Sequence, residues 1–223
     1  MKFLTASSVG KKVLMAVTGQ LMIVFIIIHV LGNATIFFGG LNAYAEKLHS
    51  LPPLVWLTRI IMFMALSIHV YFSITLTLEN RKAKPDAYAV KDHLKATFAS
   101  KNMIWTGLII GTFLVYHLLQ FTFRVIYPVH AAGMNVDAMG RPDVAAMVMA
   151  GLQSFSSSFI YVAAMVALAL HLLHGIQSSF QTLGLNSEKS LPAIIRAGSV
   201  AAIVLFLGYI SIPVIILLGI MKG

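Results

Sequence analysis

The sequence predicts an all-α integral membrane bundle of five transmembrane helices. Three observations support this: 59% of the 223 residues are hydrophobic, only 10% are charged, and the apolar residues gather in five long segments. A soluble domain carries about 25% charged residues, so this chain lacks the polar surface of a water-soluble fold. No stretch is left over for a soluble domain, and residues 1–223 are expected to form a single transmembrane domain.

Each of the five segments is long enough to cross a membrane. A hydrocarbon core of about 30 Å needs about 20 helical residues. The predicted spans are Val13–Phe38, Leu54–Leu78, Met103–Tyr127, Phe155–Thr182 and Gly198–Ile220. Each of the first four contains a histidine, whereas the fifth contains neither a charge nor a histidine.

The basic residues outside the apolar runs predict the orientation. Eleven of the sixteen lysine and arginine residues lie in the N-terminal region, the second loop and the fourth loop, and five lie toward the other side. Cytoplasmic loops carry an excess of lysine and arginine. The N-terminus is therefore expected in the cytoplasm and the C-terminus outside. The net charge of +9 then reflects topology rather than nucleic-acid binding.

Histidines within the apolar segments are the strongest indication of function. His29, His69, His117 and His171 lie one on each of the first four helices. An ionisable side chain in the bilayer core is costly and usually functional, and imidazole is a common axial ligand of haem iron. Four such ligands form two pairs, which can hold two haems. The chain has no cysteine, which excludes thioether-linked haem and cysteine-ligated clusters within it.

The predicted orientation also indicates which histidines pair. Counted from the cytoplasmic ends of their helices, His29 and His117 lie about 16 and 14 residues in, and His69 and His171 about 9 and 11. At 1.5 Å per residue the two levels differ by about 5–10 Å. His29 should pair with His117 nearer the outside, and His69 with His171 nearer the cytoplasm. His174 remains an alternative ligand, because it lies on a neighbouring face of the same helix.

Several features, taken in order along the chain, resemble a known family. They are the histidine in each of the first four helices, the run His29–Asn33, the first loop Leu41–Pro52 and the stretch His171–Gly184. Together they resemble the cytochrome b subunit of succinate dehydrogenases and fumarate reductases, in the form with five helices and two haems. One departure is Ser73, four residues after His69, where some members of the family have glycine.

The resemblance implies ligands, partners and a location. It implies the same two histidine pairs, and it selects His171 over His174 because the family's ligand on the fourth helix precedes a glycine by four residues, here Gly175. It implies a bacterial cytoplasmic membrane and a place in the respiratory chain and tricarboxylic acid cycle. Electrons would pass between an iron–sulfur subunit and a quinone, usually menaquinone, while a flavoprotein subunit carries the dicarboxylate chemistry. Two complexes can associate as a dimer, and the direction of the reaction stays open.

The docking face for the soluble subunits is expected on the cytoplasmic side. It would consist of residues 80–102 and the basic N-terminal residues, and the stretch Asp86–Lys101 can form an amphipathic helix on the membrane surface. For any single lysine, contact with anionic lipid explains the charge equally well.

Quinone chemistry needs a proton donor or acceptor that reaches solvent. In the first loop, Glu46 is the first candidate for this role and His49 the second. An ordinary solvated carboxylate is the alternative for Glu46. A quinone site on the cytoplasmic side, near Lys11, Lys12 and Arg81, also remains open.

Two other functions fit the histidine pattern. One is a dihaem cytochrome b anchor of a formate dehydrogenase or hydrogenase; such complexes place their catalytic subunits outside, which the basic cytoplasmic loop disfavours. The other is a haem-free transporter that uses histidines as proton relays. That function predicts internal repeats and helices broken within the membrane, and the sequence shows no convincing repeat.

Overall fold

The computed structural model describes residues 5, 7–83, 97–126 and 136–221. The helices in these ranges are α1 Ser8–Ala34, α2 Leu41–His49, α3 Pro52–Ala83, α4 Phe98–Lys101, α5 Met103–His117, α6 Val144–Leu152, α7 Phe155–Thr182 and α8 Leu191–Leu217. A 3₁₀ turn, Thr35–Phe38, extends α1, and a π-helical turn, Leu118–Thr122, extends α5.

Five helices in the described ranges are long and apolar enough to cross a membrane: α1, α3, α5, α7 and α8. The predicted fold class is therefore confirmed. Most helices extend beyond the predicted apolar spans because their ends continue into polar flanks, as α1 does from Ser8 and α8 from Leu191. The third membrane span, α5 with its π turn, is shorter than predicted and ends at Thr122. Arg124, soon after the π turn, has a left-handed conformation with φ 58°.

Short helices occupy parts of the chain between the membrane spans. α2 and α6 pack against each other and join the first and third connecting regions. α4 is the described end of the predicted amphipathic stretch Asp86–Lys101, and Thr97 caps it by accepting a hydrogen bond from Ser100 N at 3.1 Å. Residues 84–96, which hold the rest of that stretch, lie outside the described residues.

The four helices that carry the paired histidines form a ring with one open side. α1 packs against α3 on one side and α7 on the other, and α5 packs against α7. In the described ranges α3 and α5 share no extensive interface. As a result α1 faces α5 and α3 faces α7 diagonally across the ring. α8 lies outside the ring against α7 and α1.

Small residues let α8 approach its neighbours closely. Ala202 is completely buried. A Cβ atom at Gly198 would lie 3.1 Å from Ile176 Cγ2, and one at Gly208 would lie 3.0 Å from Val30 Cγ2. Close backbone approach through small residues is the usual way in which membrane helices associate. One apolar cluster accordingly sits between α1, α7 and α8, and a second one, nearer α2 and α6, includes Leu41, Leu152 and Ile216.

An ion pair between Lys11 and Glu79 joins the start of α1 to the end of α3. The Lys11 side chain is 12% exposed, so most of its apolar stem is covered. The contact places the basic N-terminal residues and the basic end of α3, with Arg81 and Lys82, at the same end of the bundle.

A polar cluster joins α2 to the region before α6 at the opposite end. Buried Asn42 accepts a hydrogen bond from Ala145 N at 2.8 Å and donates to Asp143 Oδ1 at 3.0 Å. Hydrogen bonds from the side chain and backbone of Arg141 lower the pKa of Asp137 to about 2. Because this value is below the usual carboxyl pKa of about 3.9, the pair stabilises the fold above that pH. The contribution is lost as the pH falls toward 2.

We expect Asn42→Ala to lower the free energy of unfolding by about 1–3 kcal/mol, because Ala145 N and the Asp143 carboxylate lose a buried partner. Thermal unfolding in detergent measures the effect. Ser50→Ala is the matched control, since Ser50 is exposed and its hydroxyl donates to Lys47 O at the end of the same helix. Equal stability of the two variants would contradict a structural role for Asn42.

Candidate functional site

The four histidines of the ring meet in two pairs. The ring centres of His29 on α1 and His117 on α5 are 6.0 Å apart. Those of His69 on α3 and His171 on α7 are 6.4 Å apart. Each pair therefore joins two diagonally opposed helices, and these are the partners that equal depth along the helices predicts.

Tyr161 on α7 forms a hydrogen bond with Nδ1 of the His117 ring. The Tyr161 hydroxyl lies 3.0 Å from His117 Nδ1 and donates its own proton to Gln120 Oε1, also at 3.0 Å. Gln120 Nε2 in turn donates to Gly151 O at 3.0 Å and to Ser157 Oγ at 3.2 Å. Gln120 is buried, and the π turn after His117 is the segment that presents it to α7.

Shorter connections hold the other pair. His171 Nδ1 lies 3.1 Å from Thr106 Oγ1, and the Thr106 hydroxyl donates to main-chain carbonyls of its own helix. His69 Nδ1 lies 3.0 Å from Met15 O, with Thr18 Oγ1 at 3.5 Å. Nδ1 therefore donates to an oxygen in both residues, and Nε2 keeps its lone pair for a ligand.

His29 is held differently. Its ring stacks on Phe25, with ring centres 5.4 Å apart, and the Asn33 amide contacts Nε2 at 3.1 Å. A metal ion at this nitrogen would replace the contact with Asn33.

The sequence of the described helices also matches a family. Residues 77–207, more than half of the chain, match the family model of the succinate dehydrogenase/fumarate reductase transmembrane subunit. The chain belongs to this family. No curated protein and no solved structure is significantly similar to it. The matched region includes His117 and His171, while His29 and His69 precede it.

The histidines of this transmembrane subunit fit bis-imidazole haem ligation. With metal–imidazole bonds of about 2 Å, two imidazoles on opposite sides of one metal ion have ring centres about 6 Å apart. Both pairs have this separation. A ligating histidine usually donates its second nitrogen proton to an oxygen, and His69, His117 and His171 each have such an oxygen at Nδ1.

Glycines leave space beside the His69–His171 pair. A Cβ atom at Gly19 would lie 3.4 Å from His69 Cε1, and one at Gly107 would lie 3.6 Å from His171 Cε1. A Cβ atom at Gly111 or Gly175 would meet no atom within 4 Å. Gly175 is one helical turn from His171, so no side chain occupies the space next to this histidine on that turn.

The remaining predicted site residues lie outside the two pairs. The ring that faces His69 belongs to His171, and in the described ranges His174 makes no ring contact. Glu46 and His49 are exposed on α2, where His49 Nδ1 bonds to Ala45 O at 2.7 Å. α2 packs close to His29, since a Cβ atom at Gly32 would lie 2.5 Å from the Tyr44 ring.

The polar partners of the histidines are not among the sequence-predicted site residues. The direct partners are Tyr161, Thr106, Thr18 and Asn33, and Gln120 bonds to Tyr161. One signal was present: a polar side chain inside an apolar span needs a partner within the protein, and Thr106 and Gln120 are such residues. Which histidine each one reaches depends on contacts between helices, which the sequence does not show.

We expect Ser157→Ala to lower the free energy of unfolding by about 1 kcal/mol, because Ser157 is 1% exposed and its hydroxyl contacts both Gln120 and Tyr116. Thermal unfolding in detergent tests this. Ser156→Ala, an exposed neighbour on the same helix, should leave the midpoint unchanged. A Ser157 variant as stable as the Ser156 variant would show that the network does not contribute to stability.

Proposed function

We propose that this transmembrane subunit is a dihaem cytochrome b that passes electrons between an iron–sulfur subunit and membrane quinone. The observation that carries the proposal is the meeting of four intramembrane histidines in two pairs at 6.0 and 6.4 Å. His29 and His117 would hold one haem, and His69 and His171 the other. When bound, each haem would supply a one-electron couple, and two such couples at different depths would connect the two membrane surfaces.

The protein's own contribution is to hold the ligands in a dry environment. The Nδ1 contacts of His69, His117 and His171 fix their ring orientations before a metal ion binds. Preorganised ligands reduce the structural change that accompanies gain or loss of an electron.

Charge at one end of the bundle supports docking of the soluble subunits there. Lys12, Arg81 and Lys82 are exposed beside the Lys11–Glu79 ion pair, and Lys101 ends α4. The excess of basic residues supports a cytoplasmic location for this end. We infer a bacterial cytoplasmic membrane, with an iron–sulfur subunit and a flavoprotein docked on this face and the C-terminus outside. Two such complexes forming a dimer is compatible with this arrangement.

The quinone, of the menaquinone type, is proposed to react near the His29–His117 pair. α2 contacts α1 at Gly32, less than one helical turn from His29. Glu46 lies on the same short helix as the contacting Tyr44 and is exposed to solvent, which supports it as the group that exchanges the proton. His49 is the second candidate, although its Nδ1 already bonds to its own helix.

We expect two b-type haems per chain in the purified complex and one or none in His171→Ala, because the iron loses an axial ligand. A reduced-minus-oxidised difference spectrum with pyridine haemochrome quantitation measures this. His174→Ala is the matched control and should keep two haems.

Each alternative result has a definite meaning. Absence of haem from the wild-type complex would overturn the cytochrome proposal. Two haems in His171→Ala, with a loss in His174→Ala, would move the ligand to His174.

We expect Glu46→Gln to lower quinone-linked turnover about 100-fold, a typical effect of losing a general acid–base group. Haem content and electron transfer from succinate to an artificial acceptor at the flavoprotein should stay unchanged. Glu188→Gln, an exposed loop carboxylate, is the control. Normal quinone-linked turnover in the Glu46 variant, with a loss in His49→Gln, would assign the role to His49.

A further inference from the structure

The hydrogen bonds behind His117 have a fixed direction. Gly151 O is a main-chain carbonyl and can only accept, so the Gln120 amide must present its nitrogen to Gly151 and its oxygen to Tyr161. The Tyr161 proton is thereby committed to Gln120. The Tyr161 oxygen is left to accept, and the proton between it and His117 must reside on Nδ1. A carbonyl on α6 thus determines the tautomer of a histidine on α5.

We propose that Tyr161 and Gln120 are positioning residues that set the reduction potential at the His29–His117 pair. This inference rests on the proposed haem ligation. Donation from Nδ1 to an oxygen increases the basicity of the coordinating Nε2. A more basic ligand favours ferric over ferrous iron, so this hydrogen bond lowers the potential. Gln120 strengthens this bond, because it takes up the Tyr161 proton and leaves the Tyr161 oxygen a better acceptor for Nδ1.

The two pairs use different kinds of partner. At the other pair, His69 donates directly to a main-chain carbonyl. His171 contacts the hydroxyl of Thr106, which donates its proton to carbonyls of its own helix. His117 instead depends on a relay of two side chains from two different helices. Changes to single side chains can therefore shift the potential at one pair without affecting the other.

Aromatic packing holds Tyr161 in place independently of its hydroxyl group. Its ring meets Phe113 edge to face, with ring centres 4.8 Å apart, and Tyr116 and Phe121 lie about it at 6.2 and 6.0 Å. Tyr161→Phe therefore retains the packing and removes one hydrogen bond to His117. This makes it a direct test.

The experiment is a spectroelectrochemical redox titration of the purified wild-type and variant complexes. Whichever of His117→Ala and His171→Ala retains one haem identifies that haem's midpoint potential, and the remaining potential belongs to the other pair. We expect Tyr161→Phe to raise the reduction equilibrium constant at the His29–His117 pair by up to about tenfold, which equals 59 mV for a one-electron couple. Thr106→Val should raise the potential of the other pair only. Tyr116→Phe removes a hydroxyl group that contacts Ser157 rather than His117, and it should change neither.

Unchanged potentials in a Tyr161→Phe complex with two haems would overturn the inference and leave the cytochrome assignment intact. An equal shift in Tyr116→Phe would also overturn it, because the shift would then follow from loss of any nearby hydroxyl group rather than from loss of the bond to His117. If Tyr161→Phe loses haem, Gln120→Met decides: a raised potential at the same pair supports the relay, and an unchanged one overturns it. Wild-type complex without haem would instead refute the proposed function.

Discussion

Within a bilayer, every buried donor and acceptor must find its partner inside the protein, and this constraint governs how the four histidines are held. Water cannot satisfy Nδ1 of a ring buried between helices. His69, His117 and His171 therefore each bring a neighbouring oxygen to that atom. The same contact that removes the cost of burial fixes the ring orientation and frees the opposite nitrogen.

Each of these hydrogen-bond networks ends on a main-chain carbonyl acceptor. Met15 O acts directly on His69, while carbonyls at Asn102 and Met103 act on His171 through Thr106. Gly151 O acts on His117 through Gln120 and Tyr161. A carbonyl has no proton to rearrange, so each network has a single consistent set of proton positions. The helical backbone thereby determines the proton positions in these networks as well as the positions of the side chains.

Much of the fold and part of the site follow from sequence because they depend on one-dimensional quantities. Helix length, the alternating direction of the spans and the rise per residue suffice to place His29 with His117 and His69 with His171. The relay through Gln120 does not follow, since it depends on contacts of this side chain with Gly151 on α6 and Tyr161 on α7. The joining of α2 to α6 through Asn42 likewise depends on residues about a hundred positions apart. The Tyr161 contact with His117 is set by how α5 and α7 pack, which depends on shape rather than on hydropathy.

The diagonal arrangement of the ring has a consequence for biosynthesis. Because the chain is synthesised from its N-terminus, both residues of the His29–His117 pair are present once the third membrane span has been made. The His69–His171 pair has to wait for the fourth span. Tyr161 lies on that fourth span too, and α5 packs against this span, so the residues of the first pair are made before the elements that hold them. Ligand pairs thus become available in a fixed temporal order, and only the complete ring orients both.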